Sequence, residues 1–166
     1  MRPKTKTEAH NTEYLGELVC SNSFRSDDKE FNAVGVLHEE LRMSDSLIMK
    51  TADLNKVPAG SALAVDRDDF AKQINNIIRS NSKINIINEE VKHLDEFEDQ
   101  IVIVCTGPLT SSHLTEYIKK KTSENSLAFY DAIAPIIYKD TIDMSIAWKQ
   151  SRYDKGDGDD YINCPL

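Results

Sequence analysis

Gln100–Cys105, QIVIVC, followed at once by Thr106-Gly107-Pro108, is the stretch on which the fold reading turns. Ile101, Val102, Ile103 and Val104 are all β-branched and do not alternate with polar residues. That composition predicts a strand buried on both faces, as in a parallel sheet. After the Thr-Gly turn, Ser111 or Ser112 caps a helix carrying Leu114, Tyr117 and Ile118. A buried strand that stops at Thr106-Gly107 lets a cofactor approach the backbone closely. An ordinary strand-to-helix turn has the same letters, and one glycine does not separate the two. The fold class expected from this unit is α/β.

Working upstream, Lys83–Asn88 (KINIIN) predicts a short strand. Glu89–Asp99 predicts a second short strand and a turn, with Val91 and Leu94 pointing inward. Asp68–Ser80 places Phe70, Ile74, Ile77 and Ile78 on one helical face. Before it, Val57-Pro58-Ala59-Gly60 breaks the pattern, and Ser61–Asp66 (SALAVD) reads as a short strand or extended segment. That segment leads to a helix start at Asp66 or Asp68. Phe31, Val34, Leu37, Leu41 and, less regularly, Ile48 predict one further helix behind Ser26-Asp27-Asp28, with acidic residues where the helix dipole favours them. His38 and Arg42 are expected on its surface. The opening to about Tyr14 reads as extended or loop. Downstream, Leu127–Ala134 and Pro135–Tyr138 read as strand-like. Ser151–Leu166 reads as an acidic loop whose Asp157, Asp159 and Asp160 lack the later glutamate of a calcium loop.

At 166 residues, 40% hydrophobic and 29% charged, the chain suits one ordinary globular domain. No apolar run of about 18 residues predicts a membrane span, and the N-terminal basic residues precede no apolar core of a secretory signal. Cys20, Cys105 and Cys164 are odd in number and far apart, which argues for a reducing, cytoplasmic setting. No CxxC pair or clustered histidines suggest a metal site. A net charge of −8 disfavours indiscriminate nucleic-acid binding, though not a local basic groove.

The chemistry-bearing stretch is Glu17–Gly35, ELVCSNSFRSDDKEFNAVG. Cys20 follows the apolar pair Leu18-Val19, and Ser21, Asn22 and Ser23 favour a turn by bonding backbone groups. Arg25 sets a permanent cation near the sulfur, and a thiol near a cation and a helix start ionises more easily. The competing reading makes Cys20 a small buried hydrophobe beside a helix cap.

Several blocks together resemble one family. They are ELVCSNSFRSDDKEFNAVGVLHEELR from Glu17, VPAGSALAVDRDDFA from Val57, INEEV from Ile87, CTGPLTS from Cys105, FYDAIAPI from Phe129, DTIDM from Asp140, SRYDKG from Ser151 and YINCP from Tyr161. The family is that of the folate- and FAD-dependent tRNA (uracil-5-)-methyltransferases, flavoproteins of the glucose-inhibited-division A-like group. The resemblance runs over essentially the whole chain.

It implies part of a Rossmann-like FAD-binding domain over 1–130, lacking its first βαβ unit, and the start of an inserted smaller α/β domain over 131–166. Met1-Arg2-Pro3 resembles a Met-Arg-Pro that is internal in the family, and no GxGxxG occurs in the 166 residues. The chain therefore reads as an internal fragment, inactive alone. The implied activity is methylation of C5 of a T-loop uridine in tRNA, with methylenetetrahydrofolate as carbon donor and reduced FAD as reductant, and NAD(P)H as a further family cofactor. Cys20 matches a functional cysteine of the family, as nucleophile or proton-transfer group. Arg2, Ser21, Asn22, Arg25, Val91, Thr106 and Gly107 are the implied cofactor contacts. Cys105 is expected to be packing, and Cys164 structural. A paralogue acting on ribosomal RNA, or a remnant without catalysis, has the same residues.

Overall fold

The computed structural model describes residue 4 and residues 9–123, 137–151 and 158–165. Arg2 and the strand-like expectation at 127–134 lie outside these residues, as does most of the SRYDKG block. The chain divides into two compact units, Met1–Glu13 with Asn85–Ile133, and Tyr14–Ile84 with Ala134–Leu166.

In the second unit the order is β1 (Ser23–Ser26), α1 (Ala33–Met43), α2 (Leu47–Leu54), β2 (Lys56–Val57), β3 (Ala62–Val65) and α3 (Arg67–Ser80). β3 is central, with β1 and β2 antiparallel on its two sides. A second antiparallel pair joins β4 (Trp148–Lys149) to β5 (Ile162–Asn163). Mixed helix and strand agree with the α/β expectation. The described strand pairs are antiparallel, however, where the sequence suggested a parallel sheet.

The core is built from Met49, Ala52, Leu63, Val65, Phe70 and Ile74, drawn from α2, β3 and α3. α3 begins where the sequence placed it. Asp66 Oδ1 accepts from the backbone N–H of Asp68 and Asp69, both at 3.0 Å. Phe24 meets the Phe70 ring at 5.5 Å in a tilted arrangement, which pins β1 to α3.

The single helix expected through Ile48 is two. Asp45 adopts φ 61°, its N–H donates to Arg42 C=O, and Ser46 N–H donates to Leu41 C=O. These bonds close a helix C-terminus in the Schellman pattern, with an aspartate in the left-handed position where glycine is usual. Ser46 then caps α2. Asn32, and not Ser26-Asp27-Asp28, caps α1.

Asp27 has a different task. Its N–H donates to Ser61 C=O at 2.8 Å, and its carboxylate accepts from His38 Nδ1 at 2.9 Å. Arg42 Nη2 donates to both Asp27 oxygens at 2.9 and 3.0 Å, and Lys56 Nζ lies 3.7 Å away. Arg42 also reaches Asp53 of α2 at 2.7 and 2.9 Å. His38 is 5% exposed, so the surface position expected for it is wrong: the carboxylate partner makes its burial tolerable. Burial alone would raise the Asp27 carboxyl, but hydrogen bonds from His38 and Arg42 outweigh it and hold the group below its ordinary 3.8. Gly35 completes the docking of α1, because a Cβ there would stand 2.2 Å from the Asp28 carbonyl.

In the first unit, a 3-10 turn at Asp95–Phe97 is followed by irregular chain through residue 106. A second 3-10 turn at Gly107–Leu109 then leads to α4 (Ser112–Thr122), capped by Ser111. The strand expected at Gln100–Cys105 is absent, with Ile101 97% and Ile103 80% exposed. A β-branched run becomes a strand only beside a ladder partner, and no described residue pairs with this one. Lys83–Asn88 and Glu89–Asp99 likewise form no strand. Leu94 is half-buried, but Val91 is exposed, against the inward position expected. Among the described residues no helix is long and apolar enough to cross a membrane.

Two outcomes follow from the Asp27–Gly35 docking. Asp27→Asn should lower stability in urea by about 2 to 4 kcal/mol at neutral pH, since it removes the charge partner of the buried His38 and one of the two carboxylates that Arg42 holds. A carboxyl held below its unfolded value stabilises the fold fully above that value. The difference should therefore persist down to about pH 5 and close only as pH falls below the ordinary 3.8. Gly35→Ala should cost about 3 kcal/mol, because the obstacle is backbone and cannot rotate aside. An unchanged urea midpoint in either variant contradicts this account of the docking.

Candidate functional site

The Cys20 loop is held at both ends by side chains in the core. Leu18 before it and Phe24 after it both pack against the core cluster. Cys20 itself is half-buried. Its carbonyl accepts from Arg67 Nη2 at 3.0 Å, which ties the loop to the first turn of α3. Asn22 pairs with Val65 through both backbone and side chain. Val65 N–H donates to Asn22 C=O at 3.0 Å, and Asn22 Nδ2 donates to Val65 C=O at 2.9 Å.

Between these anchors the serines close successive short turns. Ser21 Oγ accepts from Ser23 N–H at 3.1 Å, and Ser23 Oγ accepts from Arg25 N–H at 3.0 Å. Ser26 Oγ accepts from Asp28 N–H at 3.3 Å. Each is the side-chain-to-backbone bond that makes Ser a turn former. The strand register slips between Ser23 and Ser26, and Arg25 there has φ 74°. A non-glycine residue in that region is uncommon and often marks a functional constraint. Ser21, Ser23 and Arg25 are exposed, whereas Asn22 is half-buried and spent on β3.

The sequence-derived candidates thus fall into two groups. Cys20, Ser21, Asn22 and Arg25 share the loop in the Tyr14–Ile84 unit. Val91, Thr106 and Gly107 belong to the Asn85–Ile133 unit. There Val91 and Thr106 line one apolar cleft of about 330 Å³, with Leu94, Phe97 and Leu114 among its other walls. Cys105 lines the same cleft and is exposed, so the packing role expected for it does not hold. Gly107 adopts φ +60° with nothing within 4 Å of the Cβ it lacks. Thr110 Oγ1 donates to Gly107 C=O at 2.7 Å and lies 2.6 Å from Thr106 Oγ1, which fixes the turn. Such an open, fixed turn beside an apolar cleft fits a cofactor lying against bare backbone.

Arg67 is the member of the loop that sequence reasoning missed. It stands 47 residues from Cys20 in the chain, inside the acidic run Asp66–Asp69, and nothing in that run signals a contact with the cysteine.

Comparison with known proteins places the whole chain. The family model described as "Glucose inhibited division protein A" matches residues 1–166. A curated relative from Zymomonas mobilis, named "Methylenetetrahydrofolate--tRNA-(uracil-5-)-methyltransferase TrmFO", is 57% identical over 166 residues, covering all of this chain and 36% of its own. Proteins of the same name from Paramagnetospirillum magneticum and Rhizobium meliloti are each 56% identical, with 37% and 36% of their lengths covered. This chain thus spans little more than a third of the curated relatives it matches. Matched by the family model from its first residue to its last, the chain belongs to the glucose inhibited division protein A family.

Proposed function

We propose that the chain is part of a flavoprotein that methylates C5 of the T-loop uridine in tRNA, taking the carbon from methylenetetrahydrofolate. The observation that carries the reading is similarity along all 166 residues to about a third of proteins named for that reaction, with the Cys-Ser-Asn-Ser block folded as a fixed loop carrying a half-buried thiol. FAD, when bound, supplies the reducing chemistry, and NAD(P)H is the expected source of its electrons. The setting is cytoplasmic.

The chemistry asked of this chain is modest. Carbon 5 of uracil is a poor nucleophile until the 5,6 double bond is activated, and addition of a thiolate to C6 is one way to do so. The proton on C5 must afterwards go to a base. Cys20 is suited to either role. Arg67 and the Asn22–Val65 pair would hold its backbone still while the base approaches. Arg25 would offer its cation to an anionic group of substrate or cofactor. Val91, Thr106 and Gly107 would hold part of the flavin nucleotide through the apolar cleft and the open turn. Arg2 is assigned to the same cofactor by resemblance. The 166 residues contain no GxGxxG, the turn that brings backbone N–H groups and a helix N-terminus to a pyrophosphate.

The test joins this stretch to the rest of the Zymomonas relative, replacing the matching part, and assays methyl transfer to a tRNA transcript and to ribosomal RNA. Methylation of tRNA is expected, and Cys20→Ala should abolish it while flavin stays bound. Activity retained by that variant returns Cys20 to a packing role, and methylation of ribosomal RNA alone overturns the substrate. The isolated 166-residue chain should purify colourless. A yellow preparation with stoichiometric FAD would show that the pyrophosphate is held without the glycine turn.

A further inference from the structure

α4 and the chain before it enclose an open cleft of about 350 Å³, lined by Lys92, Ser112, His113, Glu116, Tyr117 and Lys120. His113, Glu116, Tyr117 and Lys120 recur at steps of three and four, which places them on one helical face. Most ionic groups around the cleft are matched. His113 Nδ1 lies 3.0 Å from Glu90, Lys119 lies 3.5 Å from Glu116, and Lys121 lies 3.0 Å from Asp95. Tyr117 donates its hydroxyl to Asp95 at 2.7 Å, which fixes the ring. Lys92 and Lys120 make no hydrogen bond or ion pair among the described residues, although His113 and, more weakly, Lys92 hold the Glu90 carboxyl below its ordinary range. Both are exposed.

We propose that this cleft is a docking surface for the phosphodiester backbone of RNA, with Lys92 and Lys120 as its two phosphate contacts. The Lys120 ammonium has no ion pair among the described residues, and that of Lys92 is engaged only through the field of Glu90. Both stand beside a serine hydroxyl and an aromatic ring, the chemistry that grips a nucleic-acid strand. The lining holds no arginine, asparagine or glutamine. Lysines spent on phosphate contribute affinity and orientation and carry no sequence information. The surface is local, standing on a chain whose net charge is −8. It rests on the reading of the chain as part of an RNA-modifying enzyme.

The experiment measures binding of the 166-residue chain to a fluorescent, unmodified tRNA transcript across a series of salt concentrations. Lys92→Ala with Lys120→Ala is compared with Lys72→Ala and Lys83→Ala, two exposed lysines outside the cleft that remove the same charge. The cleft pair should weaken binding about tenfold and flatten the plot of log affinity against log salt by about 1.4 to 1.8. The control pair should change the slope by less than half as much. Equal effects from the two pairs, an unchanged slope for the cleft pair, or no binding by the unaltered chain overturns the proposal. A surface that prefers an acidic protein appears as one of these failures. The methyl-transfer assay reads chemistry and not this contact, so either result can fail alone.

Discussion

The docking of α1 depends on one carboxylate. Helices usually hold their place by burying an apolar stripe, yet α1 buries only Gly35 and His38. Val36, Leu37, Leu41 and Met43 all keep more than a third of their surface exposed. What fixes the helix is Asp27, which gathers His38 and Arg42 from α1 and Lys56 from β2, and through Arg42 reaches Asp53 of α2. The network closes where Gly35 lets the helix touch the Asp28 carbonyl. Polar complementarity and one missing Cβ replace the hydrophobic stripe.

That arrangement has a consequence for the cysteine loop. Asp27 directly follows β1, so the clamp on α1 also fixes the downstream end of the segment that begins at Cys20. Arg67 fixes the upstream end through the Cys20 carbonyl. Between them the backbone is stitched by serine turns and by Asn22 on Val65. Ser21, Ser23 and Arg25 remain exposed on a segment that cannot drift. A loop that presents reactive and charged groups needs this combination, since positioning is lost when the backbone itself is free to move.

What the sequence revealed follows the range of the forces involved. α3 was legible because both of its signals are local, the apolar period and an aspartate cap at Asp66. The break at Asp45 was not, because an aspartate took the left-handed turn that a glycine would have announced. QIVIVC has the composition of a strand, but strand formation is a property of a pair, and composition says nothing about the partner. His38 looked like surface because its burial depends on Asp27, a side chain outside the helical period. At the candidate site, Cys20 stood out from its unusual neighbours. Arg67 stayed hidden because a bond across 47 residues leaves no local trace.

Charge shows the same difference between sum and arrangement. A total of −8 describes the whole chain, but salt screens exposed charges beyond about one Debye length, so a polyanion at the surface meets the local arrangement rather than that total. At contact the sum dissolves into pairs. Asp27, Asp53, Glu90, Asp95 and Glu116 each stand against a basic side chain and contribute little net field at the surface. The groups left to act on a ligand are those without such a partner. Composition counts every lysine alike, whereas the structure separates Lys121, committed to Asp95, from Lys120 beside it in sequence, which makes no ion pair among the described residues. An acidic protein can therefore carry a local basic contact, provided the carboxylates nearest to it are engaged, as Glu90, Asp95 and Glu116 are here.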